Sequence, residues 1–181
     1  MKYTDQEIST LLQKKSTQVQ GYNLLVYTYQ EKMYWVIRRI LLNHEDSDDV
    51  LQEVLLKLWT KLSSFNFESA IYTWLYRIAV NEALSFLRKK RRVLLLPIYK
   101  VEHELSKYIE QEGIFTGSDI ELIFQQALLT LPEKQRIVFT IRYYDDLSFA
   151  EIAKVLKMSE GGVKSTYHIA AGKLKEKLDA H

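Results

Sequence analysis

TWLYRIAVNEALSFLRKKRR, residues 73–92, is the stretch whose reading decides the fold. Wound as one helix, it puts Leu75, Ile78, Ala79 and Phe86 on one side and Tyr76, Val80, Ala83, Leu84 and Leu87 on another, so most of its circumference is apolar. A helix of that kind has to be covered from several directions, which calls for a helical domain around it. One line stays polar. Thr73, Arg77, Asn81, Ser85 and Arg88 recur at steps of four, four, four and three, and the line runs into five consecutive cations, residues 88–92. Two readings fit it: a solvated face whose terminal cations complement the helix dipole, or a surface that meets a polyanion.

Outward from this stretch the pattern stays helical. Two prolines and six glycines occur in 181 residues, and apolar spacings of three and four dominate, which predicts an all-α chain. One helix is expected through LLVYTYQEKMYWVIRRILL, residues 24–42, and another from the acidic cluster EDSDD through VLQEVLLKLW. With the residue 73–92 helix these form a first domain, residues 1–92. Residues 93–118 read as a flexible linker: VLLLPIY gives way to scattered acids (Glu102, Glu104, Glu110, Glu112) and two glycines, Gly113 and Gly117. A connector of that length reaches on the order of 80 Å when extended.

Residues 119–181 form a second helical domain with clear start signals. Thr130 with Pro132 and Glu133 predicts a capping box, and Ser148 with Glu151 predicts another, with Leu147 and Ile152 placed as a hydrophobic staple. After FAEIAKVLKM, Ser159 is set to cap a helix through VKSTYHIAAGKLKEKL. Two helices joined by so short a turn have helix-turn-helix spacing, with Lys164, Ser165 and His168 as the side chains nearest base edges. An ordinary helical hairpin with a wet polar face fits the same pattern.

Two further constellations point to partners. In DSDDVLQEVLLKLW, Leu51, Leu55, Leu58 and Leu62 are expected to face the core, leaving Asp49, Gln52, Glu53, Leu56 and Lys57 outside. A leucine among acids and amides fits a docking epitope, although single exposed leucines are common and acids also favour a helix start. Around the start of the residue 73–92 helix, Phe65, Phe67, Tyr72, Trp74 and Tyr76 interleave with polar residues, an arrangement suited to unstacked bases. Trp74 and Tyr76 read as core, while Phe65 and Phe67, in the loop-like SSFNFESA, are expected to be exposed.

Composition narrows the classes. With no cysteine there is no disulfide or thiolate metal site, and His44, His103, His168 and His181 lack zinc-ligand spacing, so neither metal nor cofactor is expected. Asp46, Asp48 and Asp49 lack the glycine and distal glutamate of a calcium loop. No apolar run approaches a membrane span and no signal segment is visible, which leads to the expectation of a cytoplasmic protein. The net charge of +2 argues for nucleic acid only through local patches.

Taken in order, the three segments resemble an RNA polymerase sigma factor of the extracytoplasmic-function type. DSDDVLQEVLLKLW resembles the family's core-polymerase-binding helix, which implies docking by Asp49, Gln52 and Glu53 on a basic coiled coil, with Leu56 at the edge. TWLYRIAVNEALSFLRKKRR resembles the segment that recognises and melts the -10 element, which implies DNA contacts by Thr73, Arg77, Asn81, Ser85 and Arg88, with Phe65 and Phe67 in a loop that holds an extruded base. LPEKQRIVFTIRYYDDLSFAEIAKVLKMSEGGVKSTYHIAAGKL resembles the domain whose helix-turn-helix reads the -35 element. The resemblance also implies core RNA polymerase, promoter DNA and an anti-sigma factor as partners, and no enzymatic activity.

The chain departs from the family pattern at defined places. Ser85 stands where an aspartate is common, Gly162 replaces the usual threonine of the turn, and Thr166, Ile169 and Ala171 stand where arginines are frequent. A comparatively weak autonomous grip on the -35 element is the expectation. Two rival functions remain open from the residues alone. A helix-turn-helix regulator independent of polymerase leaves the acidic helix and the polar line unexplained, and a metal-dependent nuclease built on Asp145 and Asp146 uses acids that a turn explains more simply.

Overall fold

The computed structural model describes residues 3–65, 70–94, 119–145 and 147–179. Among them are eight α-helices and no strand. The chain divides into two compact units, Met1–Lys90 and Arg91–His181.

In the first unit, α1 (Asp5–Gln13) is started by Thr4, whose hydroxyl accepts from the Glu7 N–H at 3.3 Å while the Thr4 N–H donates to the Glu7 carboxylate at 2.7 Å. Its buried face is Ile8 and Leu12, laid on α2 (Gln18–Leu41). The Tyr29 hydroxyl donates to Asp5 and ties the two helices; burial first, and Asp5 second, raise that phenol well above its usual range. Gly21 lets them touch. A Cβ there would lie 2.9 Å from the Leu11 Cβ and 2.9 Å from the Leu12 amide nitrogen. Gly21→Ala is therefore expected to destabilise the unit by about 1–3 kcal/mol, read by urea unfolding together with faster amide exchange in α1.

Leu42 ends α2 in the left-handed region at φ 63°, its N–H donating to the Arg38 carbonyl, a conformation that costs a non-glycine residue about 1–2 kcal/mol. Its side chain is buried, which offsets that cost. Asn43 then caps α3 (His44–Lys61) by accepting from the Asp46 N–H at 2.8 Å. α2 and α3 thus form a tight antiparallel hairpin, closed at its far end by the Tyr22 hydroxyl donating to the Leu55 carbonyl at 2.7 Å. A short 3-10 turn, Leu62–Ser64, follows α3.

α4 (Ile71–Leu94) is the helix read from residues 73–92. Ile71, Trp74, Leu75, Tyr76, Ile78, Ala79, Val80, Ala83 and Leu87 are all buried, which accounts for its apolar circumference. Two ion pairs bind it antiparallel to α3: Lys57 with Glu82 near one end, and Asp46 with Lys90 near the other.

The second unit contains α5 (Asp119–Leu129), α6 (Glu133–Tyr144), α7 (Phe149–Leu156) and α8 (Glu160–Asp179). Ala127, Leu128, Leu131, Phe139, Ala170 and Leu174 make a core shared by α5, α6 and α8. Phe139 stacks on Tyr167 at 5.4 Å and Tyr167 meets Phe149 edge-on at 5.4 Å, so one aromatic chain links α6, α8 and α7. The Ser148–Glu151 capping box forms, with Leu147 and Ile152 both buried beside it.

The expected box at Thr130 does not form. The Thr130 hydroxyl donates back to the Ala127 carbonyl at 2.7 Å, closing α5, and α6 starts after Pro132 with no side-chain cap. The reason is local: the Thr130 N–H and hydroxyl both close on the Ala127 carbonyl one turn behind them, and proline presets the first turn without an N–H to satisfy. The expected linker and its VLLLPI run, from residue 95 to residue 118, lie outside the described residues.

Candidate functional site

Each predicted site residue is reached through the element that carries it. On α3 the buried face is Ser47, Val50, Val54 and Leu58, with Leu62 just beyond, whereas Leu51 and Leu55 are half-buried at its edge. The expected leucine stripe is thus rotated by one residue toward the β-branched valines. Asp49, Gln52, Glu53 and Leu56 are all exposed, Leu56 at 65%. Lys57, expected outside with them, instead turns to Glu82 of α4.

Beside Leu56 the apolar surface continues. Trp59 is 44% exposed and meets Tyr22 of α2 edge-on at 5.1 Å. Sequence reasoning passed over Trp59, although its step of three from Leu56 was available.

Along α4 the polar line stays together. Arg77 and Arg88 are exposed, Thr73, Asn81 and Ser85 are half-buried, and the Asn81 amide donates to the Arg77 carbonyl at 2.7 Å. That bond uses the amide nitrogen, and the Asn81 side-chain oxygen keeps its capacity to accept. The basic run that follows is not uniform, since Lys90 is held by Asp46 and lies over the Phe86 ring at 5.8 Å.

Phe65 is a correction. It was expected to be exposed and is 5% exposed, stacked on Trp74 with ring centroids 4.5 Å apart. The 3-10 turn after α3 folds the chain back so that the ring covers the start of α4. Phe67 lies outside the described residues. Trp74 and Tyr76 are core side chains, as the sequence indicated.

In the second unit, α7 ends at Lys157, in the left-handed region at φ 54°, and α8 begins three residues later, its Ser159 hydroxyl accepting from the Gly162 N–H at 3.1 Å. That is a helix-turn-helix. Val163, Ala170 and Leu174 bury one side of α8, and Lys164, Ser165 and His168 are exposed on the other. The predicted readers therefore share an open face. Asp145 sits at the end of α6, its N–H donating to the Ile141 carbonyl, and Asp146 lies outside the described residues. Among the described residues no three His, Cys, Asp or Glu side chains converge as a metal site, and no helix is long and apolar enough to cross a membrane.

α7 depends on its cap. The Ser148 side chain first, and the Ser148 N–H second, hold the Glu151 carboxyl below the usual carboxylate range. A carboxyl depressed on folding stabilises at neutral pH, and that contribution is lost as the pH falls through the folded-state value. Ser148→Ala is expected to cost about 1 kcal/mol at pH 7, with the gap to the parent narrowing in acid, checked by urea unfolding at both pH values.

Comparison with known proteins places both units. Residues 25–93 match the Sigma-70 region 2 family and residues 121–174 the Sigma-70 region 4 family, so the architecture is that of a two-domain sigma factor. The ECF RNA polymerase sigma-E factor of Escherichia coli K12 is 34% identical over 170 residues, covering 90% of this chain and 87% of that protein. The ECF RNA polymerase sigma factor SigW of Bacillus subtilis is 29% identical over 167 residues, covering 85% of this chain and 87% of its own length. This chain belongs to the extracytoplasmic-function sigma factors, a family of transcription initiation factors.

Two solved structures share the fold. The sigma factor RpoE of Bartonella quintana, in complex with the anti-sigma factor NepR, has a TM-score of 0.68 at 23% identity, over 87% of this chain and 96% of that one. CnrH, in complex with the cytosolic domain of CnrY, has a TM-score of 0.66 at 22% identity, over 97% of both chains.

Proposed function

We propose that this sigma factor acts in the cytoplasm, binds core RNA polymerase through Asp49, Gln52, Glu53 and Leu56, and directs it to promoters, catalysing no reaction itself. Residues 1–92 form the polymerase-binding and -10 module, residues 93–118 a connector, and residues 119–181 the -35 module. The α4 line, Thr73, Arg77, Asn81, Ser85 and Arg88, faces the -10 element. There Arg77 and Arg88 neutralise phosphates while the half-buried polar groups meet the strand being opened. Phe67 receives an extruded base. Extrusion costs a few kcal/mol, and stacking on one ring returns about 1–3 kcal/mol, so a single aromatic with two cations is enough to hold the base. At the upstream end, Lys164, Ser165 and His168 read the -35 element through the major groove. An anti-sigma factor controls access to these surfaces, by analogy with the two complexes of shared fold.

The observation that carries this reading is the division of α3 into two faces. Val50, Val54 and Leu58 are buried, while Asp49, Gln52, Glu53 and Leu56 stand free on the outside. Leu56 is not isolated there, since Trp59, three residues on, is 44% exposed and continues the apolar surface.

In vitro transcription with purified bacterial core polymerase tests it. Promoter-specific transcripts that require this chain support the proposal. DNA binding without transcripts points to a polymerase-independent regulator, and metal-dependent DNA cleavage to a nuclease; either result overturns it.

A further inference from the structure

The reading helix opens on a charge pair. Glu160, its first residue, holds Lys164 one turn on, Oε1 to Nζ 2.7 Å, with both side chains about half exposed. Ser159 already caps the helix, so the carboxylate is not needed to satisfy the first turn. Glu160, Lys164 and His168 follow one another at steps of four and are all exposed, which sets the acid on the same open face as the proposed readers. A carboxylate carried toward DNA is repelled by phosphates unless a base amino group meets it.

We infer that Glu160 is a specificity-determining residue that acts jointly with Lys164 to select a G·C pair in the upstream element, an inference that rests on the placement of α8 on DNA proposed above. In the major groove a G·C pair shows two acceptors, guanine N7 and O6, beside one donor, the cytosine N4 amino group. The ammonium of Lys164 suits the acceptors and the carboxylate of Glu160 suits the donor, and the structure already holds the two groups side by side. An A·T pair offers the ammonium one purine acceptor in place of two. Away from its site the carboxylate beside Lys164 lowers the local positive potential, which weakens the non-specific grip.

Holoenzyme reconstituted from the full chain and bacterial core polymerase is bound to a duplex library randomised across the upstream element, and the bound pool is sequenced. The parent is expected to enrich G·C at one position by about tenfold or more. Glu160→Ala is expected to flatten that position, tighten binding to a mixed-sequence duplex several-fold, and steepen the salt slope by about 0.9 as Lys164 becomes free for a phosphate. Glu160→Gln is expected to shift the preference there to A·T, because an amide presents an acceptor and a donor together. Unchanged enrichment in Glu160→Ala, with loss in Lys164→Ala, overturns the inference and leaves the helix placement standing. Unchanged enrichment in both variants overturns the placement, and the inference with it.

Discussion

Asp49→Arg is expected to weaken binding to core polymerase by at least about 100-fold, near 3 kcal/mol, while the unfolding curve of the chain stays where it is. The side chain is exposed on the outer face of α3 and forms no part of the buried stripe. Nor does the helix need it. Asn43 caps the N-terminus, Glu45 and Asp46 occupy the first turn, and Asp49 sits beyond the reach of the helix-dipole effect. Arginine is among the better helix formers, so the substitution changes the surface and little else. Against a basic partner, reversal removes one attraction and adds one repulsion, whereas Asp49→Asn removes the attraction alone and is expected to cost about a tenth as much in affinity. Titration of labelled chain with core polymerase, at two salt concentrations, separates the cases. The parent affinity should fall with salt more steeply than that of Asp49→Asn. Normal capture of core by Asp49→Arg, in a folded chain, would mean that the docking face lies elsewhere.

Much of this architecture was readable because local chemistry and tertiary structure agree. The Ser148–Glu151 box and the Ser159 cap mark helix starts by hydrogen bonds that lie within four residues, so no distant partner enters. The apolar circumference of α4 was likewise legible, because a helix with so many buried positions leaves one polar line whatever packs on it. α1 carries the same kind of signal. Thr4-Asp5-Gln6-Glu7 is a capping box, and the polar look of its surroundings hid it, since only Ile8 and Leu12 are buried there.

Other features depend on what lies across the helix, and sequence does not state that. In VLQEVLLKLW the steps Val50–Val54–Leu58 and Leu51–Leu55–Leu58 both make an apolar stripe, about one residue apart around the axis over their first two positions. Which of them is buried was decided by where α2 and α4 sit. Lys57 and Lys90 read as free surface cations until α4 brings Glu82 to the first and α3 brings Asp46 to the second. These pairs join residues 25 and 44 positions apart in the chain, beyond the range of any periodicity argument. The same ion pairs hold the α3 face assigned to polymerase and the α4 line assigned to DNA in one unit.

The burial of Phe65 turns a DNA-contact expectation into a stability prediction. Phe65→Ala is expected to destabilise the first unit by about 3–4 kcal/mol, since removing a buried aromatic both loses transfer free energy and leaves a cavity. The stacked Trp74 ring would be uncovered on one face, and with it the start of α4. Promoter opening should fall as a consequence, so activity alone does not distinguish packing from base contact. Phe65→Leu does. A leucine restores most of the apolar volume but offers no ring for a base, so a packing role predicts recovery of most of the stability and of the opening activity together. A stacking role predicts recovery of stability with opening still lost. Urea unfolding paired with permanganate footprinting of the -10 region reads both quantities on the same variants. The first outcome is the expected one, because a ring stacked at 4.5 Å on Trp74 and 5% exposed offers little surface to a base.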